Sequence, residues 1–142
     1  MSFLLDTNVV SEWVKPRPDP RVVAWLADVD EDRVFISVVT IGELRHGIER
    51  LPSSRRRVRL DDFLREDLTQ RFEGRVLPID TAVASAWGTI VARRERIGRP
   101  ISTMDAFMAA TADVHDLTLV TRNASDFRSS VKTVFDPWTE TT

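Results

Sequence analysis

Five short apolar runs recur along the chain, Ser2 to Leu5, Val34 to Val38, Val76 to Ile79, Leu117 to Thr121 and Thr133 to Phe135, with longer amphipathic stretches between them. Strands buried on both faces read as continuous apolar runs, and parallel strands need crossover segments between them. The alternation therefore predicts an α/β fold with a mainly parallel central sheet of about four to five strands.

The intervening stretches carry helix signals. Asp19-Pro20 places a capping acid before a proline at the first helical position, and Val22, Leu26 and Val29 follow at helical spacing. Leu60, Phe63, Leu64, Leu68 and Phe72 form an apolar stripe through an arginine-rich segment. Asp80 caps a further helix bearing Val83, Trp87, Ile90 and Val91, which Gly98-Arg99-Pro100 ends. No linker-like tract of Pro, Gly or Ser divides the 142 residues, so residues 1–142 are expected to form a single domain. A chain of this length buries about two thirds of the surface it exposes when unfolded.

There is no cysteine, which excludes a disulfide framework and a thiolate metal site and suits a reducing cytoplasm. The opening apolar run is broken at Asp6 and Glu12, too soon for a secretory core or a membrane span, so a cytoplasmic location without membrane attachment is expected. The formal charge of −2 does not fit a simple basic nucleic-acid coat. The cations are nonetheless clustered, and lysine occurs only at Lys15 and Lys132. Arg55, Arg56, Arg57 and Arg59, then Arg93 and Arg94, with Arg71, Arg75 and Arg99 elsewhere, fit an RNA path or an acidic protein partner, because guanidinium binds phosphate and carboxylate in a fork. They equally fit a solvated helix face laced with Asp61, Asp62, Glu66 and Asp67. Trp13, Trp25, Trp87 and Trp138 are read as core or interface residues rather than base-stacking platforms.

An acid or its amide stands at four junctions: Asp6 after the first apolar run, Glu43 in TIGEL, Asp105 in STMDAF, and Asn123 with Asp126 in TRNASDF. Each has a purely structural reading. Asp6 or Asn8 caps the next helix, Thr40 to Glu43 and Ser102 to Asp105 have capping-box spacing, and Asn123 and Asp126 form turns. Jointly they say more. Ligands of an open parallel sheet bind beyond the carboxyl ends of its strands, where Asp6 and Asn123 both fall. Gly47 lies one turn from Glu43, and Ala109 and Ala112 follow Asp105 on its helix, leaving room for close approach; Met104, Phe107 and Met108 supply apolar contact. Carboxylates gathered in one crevice repel one another and need a cation. With oxygen donors, no cysteine and only His46 and His115, read as a helix-surface residue and a helix-end residue, the fitting ion is Mg²⁺ or Mn²⁺ rather than zinc.

Together LLDTN, FISVVTIGELRHGI, STMDAFMAATADVH and LTLVTRNASDF, in this order over nearly the whole chain, resemble the PIN-domain family, and more narrowly its VapC-type toxin ribonucleases, with the terminal VFDPW similar to the FitB-like subgroup. The resemblance implies a three-layer α/β/α fold and a divalent-metal-dependent endoribonuclease, the toxin of a toxin-antitoxin pair. It implies a homodimer silenced by a VapB-type antitoxin whose tail reaches the acids, and an RNA substrate such as tRNA or rRNA. Carried over position by position, Asp6 and Asp105 are the principal metal ligands, Glu43 is the third acid, and Thr121 and Asn8 are supporting polar residues. Many relatives have aspartate where this chain has Asn123, and Asp126, one helical turn on, is the candidate for the missing charge. Two other readings fit part of the pattern. One is a receiver-type phosphoacceptor, although only a single acid follows the first run and only Lys132 lies near the last. The other is a noncatalytic interaction module whose acids cap helices.

Overall fold

A computed structural model describes residues 1–140, so the last two positions of the expected domain lie outside the described residues. The strands β1 (Phe3–Leu5), β2 (Val34–Ser37), β3 (Val76–Leu77), β4 (Thr118–Val120) and β5 (Val134–Phe135) fall within the expected apolar runs. All pair in parallel, in the order β3-β2-β1-β4-β5. The chain thus winds outward from β1 through β2 to β3, returns to the other side of β1, and continues through β4 to β5. The reversal makes a switch point between β1 and β4, at whose carboxyl ends an open parallel sheet leaves a crevice. Receiver-type modules use the order 2-1-3-4-5 instead.

The helices are α1 (Thr7–Val10), α2 (Pro20–Asp28), α3 (Val38–Glu49), α4 (Arg55–Asp62), α5 (Thr69–Arg71), α6 (Thr81–Arg96), α7 (Thr103–Val114) and α8 (Ala124–Phe127). A π-helical stretch, Phe63–Leu68, joins α4 to α5. The Thr69 hydroxyl donates to the Leu64 carbonyl there at 3.2 Å, serving an acceptor within the altered winding. Asp19 caps α2, Asp80 caps α6 and Ser102 caps α7, as their positions lead one to expect. Gly98, at φ 72°, carries the chain out of α6 in the left-handed conformation that glycine adopts without strain. The start of α3 corrects the Thr40 capping signal. Ser37 is the cap, its hydroxyl accepting the Val39 N–H at 3.0 Å, so Thr40 and Glu43 are both inside the helix.

Alternate strand residues serve opposite faces of the sheet. Phe3, Leu5, Val34, Ile36, Val120 and Phe135 join Val9, Val10, Val22, Leu26, Ile48, Leu64, Leu68 and Phe72 in one buried cluster. Leu4 and Leu119 point the other way, into a cluster with Val83, Ile90, Met108, Ala109, Ala112 and Phe127. Helices therefore cover both faces, giving three layers. Trp138 is buried, Trp13 and Trp25 pack against the first cluster, and Trp87 stacks on Phe107 beside the second. Met104, expected to supply apolar contact, is instead half-exposed, in the first turn of α7, where Ser102 and Thr103 are exposed as well. Among the described residues no helix is long and apolar enough to cross a membrane.

Leu5 has no exposed surface and immediately precedes Asp6. Leu5→Ala is expected to lower the unfolding free energy by about 2–5 kcal/mol through lost burial and a residual cavity. The check is a lower urea midpoint at unchanged slope; a wild-type midpoint would remove this cluster as a source of stability.

Candidate active site

The ladder of β1 continues one residue beyond the strand, where the Asp6 N–H donates to the Val120 carbonyl at 2.9 Å. Asp6 is then the N-cap of α1, with extended backbone, and its Oδ1 accepts the Thr7 N–H at 2.8 Å. Thr121 occupies the matching place after β4, its N–H held by the Phe135 carbonyl at 3.0 Å. Its hydroxyl donates to Asp6 Oδ2 at 2.8 Å and accepts the Asn123 N–H at 3.0 Å. Asn8 spans the same gap. Its Oδ1 accepts the Arg122 N–H at 3.3 Å, which orients the amide so that Nδ2 faces Asp6 Oδ2 at 3.4 Å. Three donors therefore converge on the buried carboxylate, and of its roughly four lone-pair directions one remains uncommitted.

Glu43 reaches this centre through Thr7, whose hydroxyl donates to Glu43 Oε1 at 2.6 Å. A hydroxyl has one proton, so the 3.0 Å contact between Thr7 and Thr40 has Thr40 as its donor. The result is a chain from Thr40 through Thr7 to Glu43, with Thr40 fully buried on α3. Asp105 stands in the first turn of α7, half-buried, its N–H donating to the Ser102 hydroxyl at 3.2 Å. Asp126 lies in the first turn of α8 with Asn123 at the cap position, where the Asn123 side chain makes no capping bond.

The electrostatics tie the acids together. Burial pushes the Asp6 carboxyl up to about 6; the bonds from Thr121 and Thr7 pull it down, and the charges of Asp105 and Glu43 push it up further. Asp105 is raised as well, first by burial, with Ser102 and Arg94 opposing and the charge of Asp126 adding to the rise. Asp105 and Glu43 thus bear on the buried Asp6, and Asp126 bears on Asp105. Among the described residues no three Asp, Glu, His or Cys side chains form a ready-made metal cage. The donor set fits Mg²⁺ or Mn²⁺ all the same. Its donors are oxygens that form no ion pair among the described residues, and Mg²⁺ commonly takes only one or two carboxylates and keeps several waters. His46 and His115 are exposed, His115 capping the end of α7, and neither belongs to the acid group.

The arginines divide. Arg55, Arg56, Arg59 and Arg93 are exposed. Arg57 is bonded to Glu49 at 2.5 Å and to the Leu51 carbonyl at 3.0 Å. Asp61 pairs with Arg45 at 2.7 Å and Arg65 at 3.0 Å, Arg71 pairs with Glu31 and lies 4.2 Å from the Trp13 ring centre, and Arg75 bonds backbone carbonyls. Arg94 departs from the expected nucleic-acid path: it is buried, its donors turned to protein acceptors. Neither Thr7 nor Thr40 stands out in the sequence as a site residue: Thr7 reads as an ordinary threonine and Thr40 as a helix cap. Their spacing from Asp6 and Glu43 was the available signal, since Thr7 is adjacent to one acid and Thr40 lies one turn before the other. Concavities of about 680 Å³ beside Arg45, Arg57 and Asp61 and about 630 Å³ beside Trp13, Arg59 and Phe63 are not lined by Asp6, Glu43, Asp105 or Asp126.

The PIN domain family matches residues 3–129. The chain belongs to the PIN-domain family. It is 38% identical to Toxin FitB of Neisseria gonorrhoeae over 136 residues, covering 96% of this chain and 98% of the relative. It is 33% identical to VapC ribonuclease Y4jK of Sinorhizobium fredii, over 96% of this chain and 97% of that one. Among solved structures, the crystal structure of FitAcB from Neisseria gonorrhoeae superposes on this PIN domain with TM-score 0.91 at 38% identity, covering 97% and 99% of the two chains. DNA-bound VapBC from Salmonella typhimurium gives TM-score 0.80 at 29% identity, covering 96% and 98%.

Because the Asp6 pKa in the folded PIN domain lies above its unfolded value, the fold holds a proton that the unfolded chain has released between pH 3.8 and about 6. Its contribution is fully present below that window and is lost as pH rises through about 6. Asp6→Asn is therefore expected to stabilise the metal-free protein at pH 7.5 by roughly 1–3 kcal/mol, with the gain shrinking toward pH 4. Urea unfolding across that range checks it, and a gain independent of pH would show that the carboxylate is not strained by charge.

Proposed function

We propose that this PIN domain is a divalent-metal-dependent endoribonuclease and the toxin of a VapBC-type pair. The observation that supports the reading is a buried Asp6 at the β1/β4 switch point, linked through Thr7 to Glu43 and pushed up by the charge of Asp105, in a chain similar over nearly its full length to named VapC ribonucleases. Asp6 and Asp105 would hold Mg²⁺ or Mn²⁺, which would supply positive charge to lower the pKa of an attacking water and polarise a phosphoryl oxygen. Thr121 and Asn8 fix the Asp6 carboxylate, leaving its free lone pair toward the crevice. Thr7 orients Glu43, whose other carboxylate oxygen takes a proton from the water, while Asp126 adds the charge that Asn123 does not.

Attack by water rather than by the RNA 2′-hydroxyl leaves 5′-phosphate and 3′-hydroxyl ends. Exposed Arg55, Arg56, Arg59 and Arg93 contact phosphates of a structured RNA such as tRNA or rRNA, a sequence-independent interaction weakened by salt. Solved relatives include FitAB and VapBC assemblies. By analogy this chain forms a homodimer within an assembly with its own VapB-type antitoxin, in the cytoplasm, with residues 1–142 acting as one domain.

Purified protein is expected to cleave RNA only with Mg²⁺ or Mn²⁺, and Asp6→Asn and Asp105→Asn each to lose at least about 100-fold in rate. Mn²⁺ is also expected to raise the melting temperature of the wild type more than that of either variant. Equal cleavage by all three proteins would assign the activity to a contaminant. A wild type that folds but neither binds Mn²⁺ nor cleaves would leave the noncatalytic interaction module as the better reading.

A further inference from the structure

Arg94, near the end of α6, is the one arginine among the described residues that is buried, at 8% exposed. A guanidinium withdrawn from water is costly unless paired, yet among the described residues Arg94 has no carboxylate within ion-pair distance. Its acceptors are neutral. Nε donates to the Arg99 carbonyl at 2.7 Å, and Nη1 donates to the Asp126 carbonyl at 3.0 Å and the Ser130 hydroxyl at 2.9 Å. An apolar side chain would fill this space without the desolvation cost, so the choice of acceptors calls for an explanation.

Each acceptor lies beside an acid of the crevice. Arg99 opens the loop that ends at Ser102, the cap of α7, one turn before Asp105. The same loop is pinned a second time by the Arg99 N–H on the Arg94 carbonyl at 3.0 Å. Asp126 is gripped by its main-chain oxygen, which leaves its carboxylate free. Ser130 is buried in the turn that follows α8, held by its N–H on the Phe127 carbonyl at 2.9 Å. The charge of Arg94 meanwhile opposes the rise that burial and Asp126 impose on Asp105.

We infer that Arg94 is a positioning residue, an internal clasp that sets α7 and α8 against each other so that the Asp105 and Asp126 carboxylates address one cation. The inference rests on the proposed nuclease reading and deepens it. Charge and position act in opposite directions here. Removing the cation alone would make the acids more attractive to Mn²⁺, whereas releasing the clasp would let them drift apart. The fork matters more than the charge, since three acceptors in different segments are met by a rigid plane that an ammonium cannot reproduce.

Arg94→Lys keeps the charge and loses the fork, and Ser130→Ala removes one acceptor while leaving Arg94 intact. Isothermal titration with MnCl₂ in the absence of RNA is expected to show Arg94→Lys weakened by roughly 10- to 100-fold, as for groups that orient metal ligands, with Ser130→Ala weakened less. The kcat for RNA should fall with KM little changed, and amide exchange over residues 124–127 should accelerate while that of β1 stays as in the wild type. If Arg94→Lys fails to fold, Ser130→Ala decides. Folded variants with wild-type Mn²⁺ affinity and kcat would overturn the inference, even with a lowered melting temperature, because the clasp would then be only a brace. A change confined to the KM for RNA would overturn it too, by making Arg94 a substrate contact. A wild type that binds no Mn²⁺ would sink this inference together with the nuclease reading, whereas wild-type binding matched by both variants would remove only the role of Arg94.

Discussion

A carboxylate that is buried without an ion pair governs the rest of this structure. Asp6 is 6% exposed, and its burial alone is the largest influence on its ionisation. A buried anion must be met by hydrogen bonds, by a cation, or by a proton. The fold supplies three of the first, through Thr7, Thr121 and Asn8, and the neighbouring acids make the shortage of positive charge worse. Such an arrangement has little purpose as helix capping, which an exposed serine performs as well. It makes sense where the missing positive charge arrives from outside.

The crevice is assembled from two kinds of support. Asp6 and Thr121 are fixed by the ladder of the sheet, where parallel strands impose their register over several hydrogen bonds. Asp105 and Asp126 come from helix starts, which no ladder aligns. Ser102, the glycine exit of α6 and the Arg94 clasp provide their alignment instead. Glu43 falls between these two groups, on a helix that issues directly from β2, and is linked to Asp6 only through Thr7, whose hydroxyl donates to Glu43 and whose N–H donates to Asp6.

Most of this was legible in the chain because local chemistry and global fold agree. Apolar runs marked the strands, and Asp19, Asp80 and Ser102 marked helix starts that the structure keeps. The capping signal at Thr40 failed for a physical reason: Ser37 is a competing cap at the end of β2, and Thr40 is needed inside to orient Thr7. The arginines were the least legible. Charge clusters identify surface only when side chains are free to extend, and nothing in Arg93-Arg94 distinguishes an outward guanidinium from an inward one until Arg94 meets the Asp126 carbonyl of α8. That the acids form no ready-made metal cage among the described residues was equally hidden, because sequence order brings carboxylates to one sheet end without saying how closely their oxygens meet.

The bond between Thr121 and Asp6 joins residues 115 positions apart, and β1 takes its place only between β2 and β4. Contacts of such separation form late and cannot be replaced by local ones. A growing chain emerging from the ribosome holds its first acid long before it has the strand that orients it. Topology alone thus leaves the environment of Asp6 incomplete until β4 has been made and has paired with β1.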